Sequence, residues 1–137
     1  HLDIKKISIC YYISEFLSKI LKSSEINEYQ FNFIQDSLIV FDNIGGNYSN
    51  FHIQFFLKLT KYYGIDIDNP NQLCTTGLSS KLFSYIDKCI ISNYEVKIYS
   101  NNILRNKVLN LITEYYSKHM DISIKLKSTT VLKEIFN

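Results

Sequence analysis

Histidine and cysteine side chains can ligate metals or take part in catalysis, and this sequence has three of each. The histidines are His1, His52 and His119, and none lies at a metal-binding spacing such as that of HExxH. We interpret His52 as a surface or partly buried helix residue. His119 closes a predicted helix, where a cation suits the helix dipole.

The three cysteines form no CxxC pair and lie near no pair of histidines. Cys10 and Cys89 fall in apolar helical stretches, which predicts small core residues. Cys74 lies in a loop, where nothing nearby in the sequence would lower the pKa of its thiol. An odd number of cysteines at these spacings is typical of reduced thiols in a cytoplasmic protein. It predicts neither a zinc site nor any other cofactor.

Two further patterns could bind ligands but lack the residues that would complete them. Asp66 and Asp68 alternate as calcium ligands can, yet no Gly and Glu follow at EF-hand spacing. The pair Gly45–Gly46 is not followed by GK[ST], so it predicts a turn and not a phosphate-binding loop. Without a nucleophile and base, a metal cluster or a cofactor motif, the sequence predicts a binding module and no enzyme.

Charge is unevenly distributed along the 137 residues. Residues 1–96 carry a net charge of −2, whereas residues 97–137 carry +4. The basic C-terminal third favours an anionic partner, and the alternative interpretation is a solvated charged face. No run of about 18 uncharged apolar residues predicts a membrane span.

The spacing of apolar residues predicts an all-α domain, a compact bundle of five to six helices. The helices are predicted over residues 3–22, 27–41, 50–63, 78–89, 101–119 and 128–136, with Ser23 and Ser24 ending the first one. Asn27 with Gln30 resembles a capping box, Asn101 or Asn102 starts the fifth helix, and Ser128 caps the last. The stretch "YEVKIYS" alternates as a strand would and stays ambiguous.

The helix in "SNFHIQFFLKLTKYYG" is the most apolar of the chain and is predicted to lie at its centre. Ser49 or Asn50 caps its start, and Gly64 supplies a left-handed residue at its end. We interpret its polar residues as one narrow exposed stripe, flanked by Phe51 and Phe55. The stripe consists of Gln54, Lys58 and Lys61.

Three stretches, in this order, resemble the bacterial recombination mediator RecO. They are "NFHIQFFLKLTKYYGIDIDN", "NILRNKVLNLITEYYSKH" and "LKSTTVLKEIF". The resemblance implies that residues 1–137 are one helical domain, the C-terminal part of a longer chain with an N-terminal OB-fold. Many members carry a four-cysteine zinc element that is missing here, and the Pro70–Gly77 loop is shorter than the family pattern predicts.

The resemblance also implies a non-catalytic mediator of DNA repair and recombination in the cytoplasm. Its implied partners are single- and double-stranded DNA, RecR, and the acidic, Phe-ended tail of the single-stranded-DNA-binding protein. Such a mediator promotes strand annealing and recombinase loading. Two alternatives stay open: a small helical regulator that reads duplex DNA, with Asn101, Asn102, Arg105, Asn106 and Asn110 on its recognition helix, and a structural adaptor domain.

Two sets of residues are predicted to contact these partners. The DNA-binding set consists of Arg105, Lys107, Lys118, Lys125 and Lys127. The set for the protein tail consists of Phe51, Gln54, Phe55, Lys58 and Lys61. Cations suit phosphates and tail carboxylates, and the phenylalanines could receive the terminal Phe of the tail.

Overall fold

The computed structural model describes residues 3–22 and 25–136 of the chain. Within them the chain forms six α-helices and no strand, which confirms the all-α prediction. The helices are α1 (Ile4–Leu21), α2 (Glu28–Asn43), α3 (Phe51–Leu59), α4 (Ser80–Ile91), α5 (Asn102–Met120) and α6 (Ser128–Phe136). His1 and the helix break predicted at Ser23 and Ser24 lie outside the described residues.

Side-chain caps define the starts of several helices, as the sequence predicts. The Asn27 side chain accepts a hydrogen bond from the Gln30 amide at 2.9 Å, and Gln30 bonds back to the Asn27 amide at 3.1 Å. This pair confirms the capping box of α2. Asn101 likewise accepts from the Leu104 amide at 2.8 Å and caps α5.

The helix α3 lies at the centre of the bundle, as predicted. Eight of its nine residues are buried, and it packs against α1, α2, α4 and α5. Its Phe56 ring stacks on Phe16 with ring centroids 4.0 Å apart. The buried hydroxyl of Tyr116 in α5 donates to the Phe56 carbonyl at 2.6 Å. Aromatic packing and the hydrogen-bonded hydroxyl of Tyr116 therefore tie α1 and α5 to α3.

A 3-10 turn at Thr60–Tyr63 ends the α3 region. Gly64 follows with φ of 72°, the left-handed conformation that the sequence predicts for it. The predicted loop beyond it contains a second 3-10 turn at Pro70–Leu73, which Asn69 caps. Pro and the capping side chain thus give order to a segment without hydrophobic periodicity.

The stretch "YEVKIYS" forms a turn and extended chain without strand pairing. Asn50 occupies the N-cap position of α3, as predicted, but its side chain makes no capping hydrogen bond and fastens this stretch to the core. Its Nδ2 donates to the Ile98 carbonyl at 2.8 Å, and its Oδ1 accepts from Ser100 at 2.7 Å and from Tyr85 at 2.6 Å. The stretch is thus held to the core at Ile98 and Ser100 and forms no sheet.

The C-terminal helix α6 packs on α1 and buries Leu132. The interpretation of Ser128 as its N-cap is wrong, because Ser128 is its first helical residue and donates its hydroxyl to Glu15 at 2.6 Å. The Glu15 carboxylate also accepts from the amides of Ser128 at 2.9 Å and Lys127 at 3.0 Å. The Glu15 side chain of the neighbouring helix α1 therefore caps the N-terminus of α6.

Two sequence interpretations of burial are wrong. Cys10 is exposed, because its position on α1 points toward a groove beside α2. His52 is buried with only 3% of its surface exposed, and its ring packs edge-on against Tyr12 at 5.5 Å. Burial, together with the charge of Arg105, lowers the pKa of His52 to about 3, so the ring is neutral near pH 7. The prediction that Cys89 is a buried core residue is confirmed.

Candidate partner-binding cleft and basic surfaces

The prediction of an exposed stripe on α3 is wrong for Gln54, and the two phenylalanines predicted to flank the stripe are buried as well. Phe51 and Phe55 are fully buried, and Gln54 is only 2% exposed. The Gln54 amide donates to the carbonyls of Ser92 at 3.1 Å and Asn93 at 3.4 Å, where α4 ends. Because the ends of neighbouring helices present unsatisfied carbonyls, a polar residue on α3 is stabilised inside the core.

Lys58 lies at the boundary between the core and the solvent. Its side chain is half-buried, and its Nζ donates to the Ile90 carbonyl at 3.0 Å while lying 5.9 Å from the centre of the Tyr94 ring. Burial lowers the pKa of Lys58, and the neighbouring Cys89 partly offsets that effect. Lys58 therefore presents a positioned ammonium and is not the freely solvated residue that the sequence suggests.

Lys58 and Lys61 line a common cleft of about 270 Å³. Its other lining residues are Phe33, Leu57, Tyr62, Asp66, Ile67 and Ile90. These come from α2, α3, the turn and the loop after α3, and α4, so the cleft forms only when the bundle folds. Hydrophobic periodicity alone could not assemble it, because its residues span positions 33 to 90.

Aromatic stacking fixes one wall of this cleft. Phe33 stacks on Tyr62 with centroids 4.7 Å apart, and on the buried Phe55 at 5.6 Å. The exposed Lys61 lies with its Nζ 5.9 Å from the centre of the Tyr62 ring. The cleft thus combines a rigid apolar wall with two ammonium groups, and Asp66 is an acidic residue within its lining.

Arg105, assigned by sequence to the DNA-binding set, is half-buried and engaged within the fold. Its guanidinium donates to Ser100 at 2.7 Å and to Asn102 at 2.9 Å, and lies over the Phe136 ring. Asn102 in turn donates to the Phe136 carbonyl. Arg105 therefore connects the start of α5 with the end of α6.

The same contacts weigh against a recognition helix at α5. Asn101 caps the helix, and Asn102 and Arg105 are engaged with one another and with α6. A helix that reads base edges needs such side chains exposed on one face.

Lys107 lies at a small cleft of about 170 Å³ where the starts of α4 and α5 meet. Lys81 lines the same cleft, together with the capping residues Ser79 and Asn101. The sequence analysis did not select Lys81, because it lies 26 positions before Lys107. Both lysines are exposed, so this part of the surface is basic.

Lys118 lines a separate cleft of about 530 Å³, near the end of α5. Lys107 and Lys118 are eleven positions apart, about 16 Å along the helix axis. Cys74 borders the cleft at Lys118, with its Sγ 3.1 Å from the Thr76 hydroxyl. Hydrogen bonds from the Thr76 side chain and amide lower the pKa of Cys74, which corrects the expectation that nothing nearby would do so.

Lys125 and Lys127 lie in the connection between α5 and α6, and both side chains are exposed. The backbone at Lys127 is held by Glu15, so this pair of lysines extends from an anchored segment. The four exposed lysines of the predicted DNA-binding set therefore lie along α5 and the connection that follows it, whereas Arg105 is half-buried. The DNA-binding role of the set stays a prediction.

Among residues 3–22 and 25–136, no group of three or more His, Cys, Asp or Glu side chains is placed to hold a metal ion. In the same part of the chain, every helix is too short or too polar to cross a membrane.

Comparison with known proteins identifies the family of the chain. The family profile described as Recombination protein O C terminal matches residues 1–92. This chain belongs to that family. The matched region extends from α1 to the end of α4, and so includes every residue of the cleft at Lys58 and Lys61.

Curated RecO proteins are similar to this chain over nearly its whole length. It is 30% identical over 155 residues to DNA repair protein RecO of Azobacteroides pseudotrichonymphae genomovar. CFP2, covering 96% of the chain and 63% of that protein. It is 32% identical over 157 residues to DNA repair protein RecO of Flavobacterium psychrophilum, covering 100% of the chain and 64% of that protein. The chain thus spans somewhat less than two thirds of these relatives. No solved structure matches it.

Proposed function

We propose that this chain is the helical part of a non-catalytic mediator of DNA repair and recombination. In this proposal it binds DNA and the acidic, phenylalanine-ended tail of the single-stranded-DNA-binding protein. The longer protein, together with RecR, would promote strand annealing and the loading of the recombinase. Membership of the RecO family supports the repair role, since its relatives carry the name DNA repair protein.

The observation that carries tail binding is the cleft at Lys58 and Lys61. A tail ending in Phe needs an apolar pocket for the ring and cations for its carboxylates. The cleft offers Phe33, Leu57 and Ile90 beside the two lysines. Its volume of about 270 Å³ exceeds the roughly 150 Å³ of a cavity that accepts benzene. The cleft therefore has room for one phenyl ring.

The geometry of the two lysines suggests a different role for each. The Lys58 ammonium has three N–H groups, and the bond to the Ile90 carbonyl uses one of them. In the proposed complex, Lys58 binds the terminal carboxylate next to the ring, where partial burial strengthens the interaction. The exposed Lys61 meets an acidic residue further along the tail. Asp66 lines the same cleft, so its carboxylate would repel a tail carboxylate placed beside it.

DNA contact is proposed for the exposed lysines alone. These are Lys107, Lys118, Lys125 and Lys127, with Lys81 added because it shares a cleft with Lys107. Arg105 is left out of the proposed surface, because its guanidinium bonds within the fold. Exposed lysines suit a salt-sensitive interaction with phosphates that does not depend on base sequence.

Fluorescence anisotropy with a labelled acidic peptide ending in Phe tests the tail site. We expect Lys61→Glu to weaken binding by about tenfold or more, since charge reversal replaces an attraction by a repulsion, each worth about 1 kcal/mol at an interface rim. Lys133→Glu is the matched control, because this exposed lysine of α6 does not line the cleft. A peptide with its terminal Phe changed to Ala should also bind weakly.

Lys58 needs a milder substitution, because its Nζ bonds the Ile90 carbonyl and its side chain is half-buried. Lys58→Gln avoids a buried carboxylate and should weaken the tail complex while circular dichroism shows unchanged helicity. If Lys58→Gln and Lys61→Glu both bind the peptide as tightly as the parent, the tail site lies elsewhere.

A further inference from the structure

Tyr99 is the most exposed large hydrophobic side chain among residues 3–22 and 25–136, with 81% of its surface accessible to solvent. It lies in the connection between α4 and α5 and does not line the cleft at Lys58 and Lys61. Single exposed apolar residues are common and need no explanation by themselves. The surroundings distinguish Tyr99, because its backbone is anchored and basic side chains lie beside it.

The chain is fastened to the core on both sides of Tyr99. The buried Asn50 side chain donates to the Ile98 carbonyl at 2.8 Å and accepts from the Ser100 hydroxyl at 2.7 Å. Arg105 donates to the same hydroxyl at 2.7 Å. The exposed ring of Tyr99 is therefore presented by a segment that is fixed at both neighbouring residues. Such preorganisation lowers the entropy that a binding contact must offset.

A lysine lies over one face of the Tyr99 ring. The Nζ of Lys97 is 5.1 Å from the centre of the ring, where the electrons of the aromatic face attract an ammonium group. This contact leaves the opposite face of the ring for a ligand. The group that suits an exposed aromatic face is another flat aromatic ring, and every nucleobase offers one.

The cationic side chains that would hold the phosphates of such a ligand lie next to Tyr99. Tyr99 is two residues before Asn101, which lines the cleft of Lys81 and Lys107. Two residues span at most about 7 Å between their Cα atoms, so Tyr99 borders this cleft. Ile103, which is 69% exposed, adds apolar surface to the lining. Proteins that bind single strands without sequence preference combine basic side chains for the backbone with aromatic rings for the bases.

We propose that Tyr99 is a stacking residue for single-stranded DNA. One base stacks on the face of the ring opposite Lys97, and neighbouring phosphates bind Lys81 and Lys107. Lys97 contacts the ring and is assigned no phosphate. The proposal rests on DNA binding by the exposed lysines, and it adds a preference for unpaired bases, since the faces of a paired base are covered by its neighbours in the stack.

Fluorescence gives a direct test of stacking. The chain has no tryptophan, so Tyr99→Trp places a single indole at the proposed site. We expect oligothymidylate to quench the indole fluorescence, because a base stacks on the ring. An abasic oligonucleotide of equal length keeps the phosphates and lacks the bases, so it should leave the fluorescence unchanged. Tyr29→Trp is the matched control, since Tyr29 is 75% exposed on α2, and its fluorescence should not respond to either oligonucleotide.

Tyr99→Ala measures what stacking contributes to affinity. Anisotropy with labelled oligothymidylate should show a loss of about tenfold, in the range typical for removal of one stacking aromatic residue. Duplex DNA of the same length should bind Tyr99→Ala as tightly as the parent. Tyr29→Ala should change neither affinity. Circular dichroism should show unchanged helicity, since the side chain that is removed lies almost wholly in solvent.

Two results would overturn stacking while the DNA-binding role of the lysines stands. They are equal affinities of the parent for oligothymidylate and the abasic oligonucleotide, and equal affinities of Tyr99→Ala and the parent for oligothymidylate. Quenching of the Tyr99→Trp indole by the acidic tail peptide and not by DNA would assign the ring to a protein partner instead. If the parent binds neither single-stranded nor duplex DNA, the proposed DNA-binding function is wrong, and the stacking role with it.

Discussion

The central helix α3 and the connection from α5 to α6 both carry lysines, but they are held in the fold by different means. Almost all of α3 is buried, and even its Gln54 is enclosed among the carbonyls at the end of α4. The connection keeps Lys125 and Lys127 exposed while Ile124 is buried, and Glu15 holds its end through the amides of Lys127 and Ser128. Substitutions in α3 should therefore change stability first, whereas those in the connection should change binding with little loss of fold.

The largest effect is expected from Phe55→Ala. Phe55 is fully buried, so removing its ring leaves a cavity that should lower the free energy of unfolding by about 3–5 kcal/mol. Urea unfolding followed by circular dichroism measures this change. Phe31→Ala is the control, because Phe31 is half-exposed and should cost far less. If Phe55→Ala is as stable as the parent but no longer binds the tail, Phe55 contacts the partner and does not stabilise the core.

The double substitution Lys125→Glu and Lys127→Glu should affect DNA binding and leave the fold intact. Loss of two phosphate contacts should lower the slope of log K against log salt by about 1.8 for duplex DNA. Between 50 and 200 mM salt, a slope change of this size corresponds to about tenfold in affinity. Anisotropy titrations at several salt concentrations measure the slope.

Lys88→Glu with Lys97→Glu is the matched control for that experiment. Both lysines are exposed and lie outside the predicted DNA-binding set. If the DNA affinity does not depend on salt, or if the control variant loses as much affinity, the connection is not a preferred DNA-binding surface.

A smaller effect is expected from Glu15→Gln, which weakens the cap of α6. Burial alone would raise the pKa of Glu15, but hydrogen bonds from Ser128 and Lys127 outweigh it and lower the pKa from its ordinary value of 4.5. At pH 7, loss of the charged cap should cost about 1 kcal/mol of unfolding free energy. Glu134→Gln, an exposed change on α6, is the control.

The effect of Glu15→Gln should depend on pH in a defined direction. A carboxylate whose pKa is lowered in the folded state stabilises the fold fully above its unfolded value of about 4.5. That contribution is lost as the pH falls through the lower, folded value. The difference between the parent and Glu15→Gln in denaturant unfolding should therefore shrink below about pH 4.5. A difference that grows toward acid pH would show that Glu15 does not act as a charged cap.

Removal of metal ions should leave the stability of both regions unchanged. The three thiols lie apart, with Cys10 in the groove between α1 and α2, Cys74 in a loop and Cys89 in the core. Elemental analysis should find no stoichiometric zinc, and a chelator should leave the thermal midpoint unchanged. One zinc per chain would show that a ligand set forms which the sequence does not predict.

The sequence predicts helices well, because helical periodicity and capping are local properties. The capping box at Asn27, the cap at Asn101 and the left-handed Gly64 all depend on residues within a few positions. The sequence is less informative about the direction in which polar residues point. Lys58 and Gln54 lie on one side of α3, and only the end of α4 decides that this side is enclosed.

The candidate site shows the same limit. Sequence reasoning selected Lys58 and Lys61, and the structure places both in one cleft with an apolar wall. It also selected Phe51 and Phe55 as partner contacts, but both are core residues. A helix that is apolar on nearly all sides gives no local signal of which side faces solvent. Phe33 and Ile90 were missed because they reach the cleft from other helices.

The sequence by itself determined the helices, their approximate ends, the apolar centre at α3 and the resemblance to the RecO family, since each depends on residue types at short spacing. Tertiary structure alone decided that Glu15 caps α6, that Arg105 joins α5 to α6, and that Lys58 is half-buried. The physical reason is that burial and long-range hydrogen bonds arise when helices pack. A residue 113 positions away can then supply the cap that no neighbour in the chain provides.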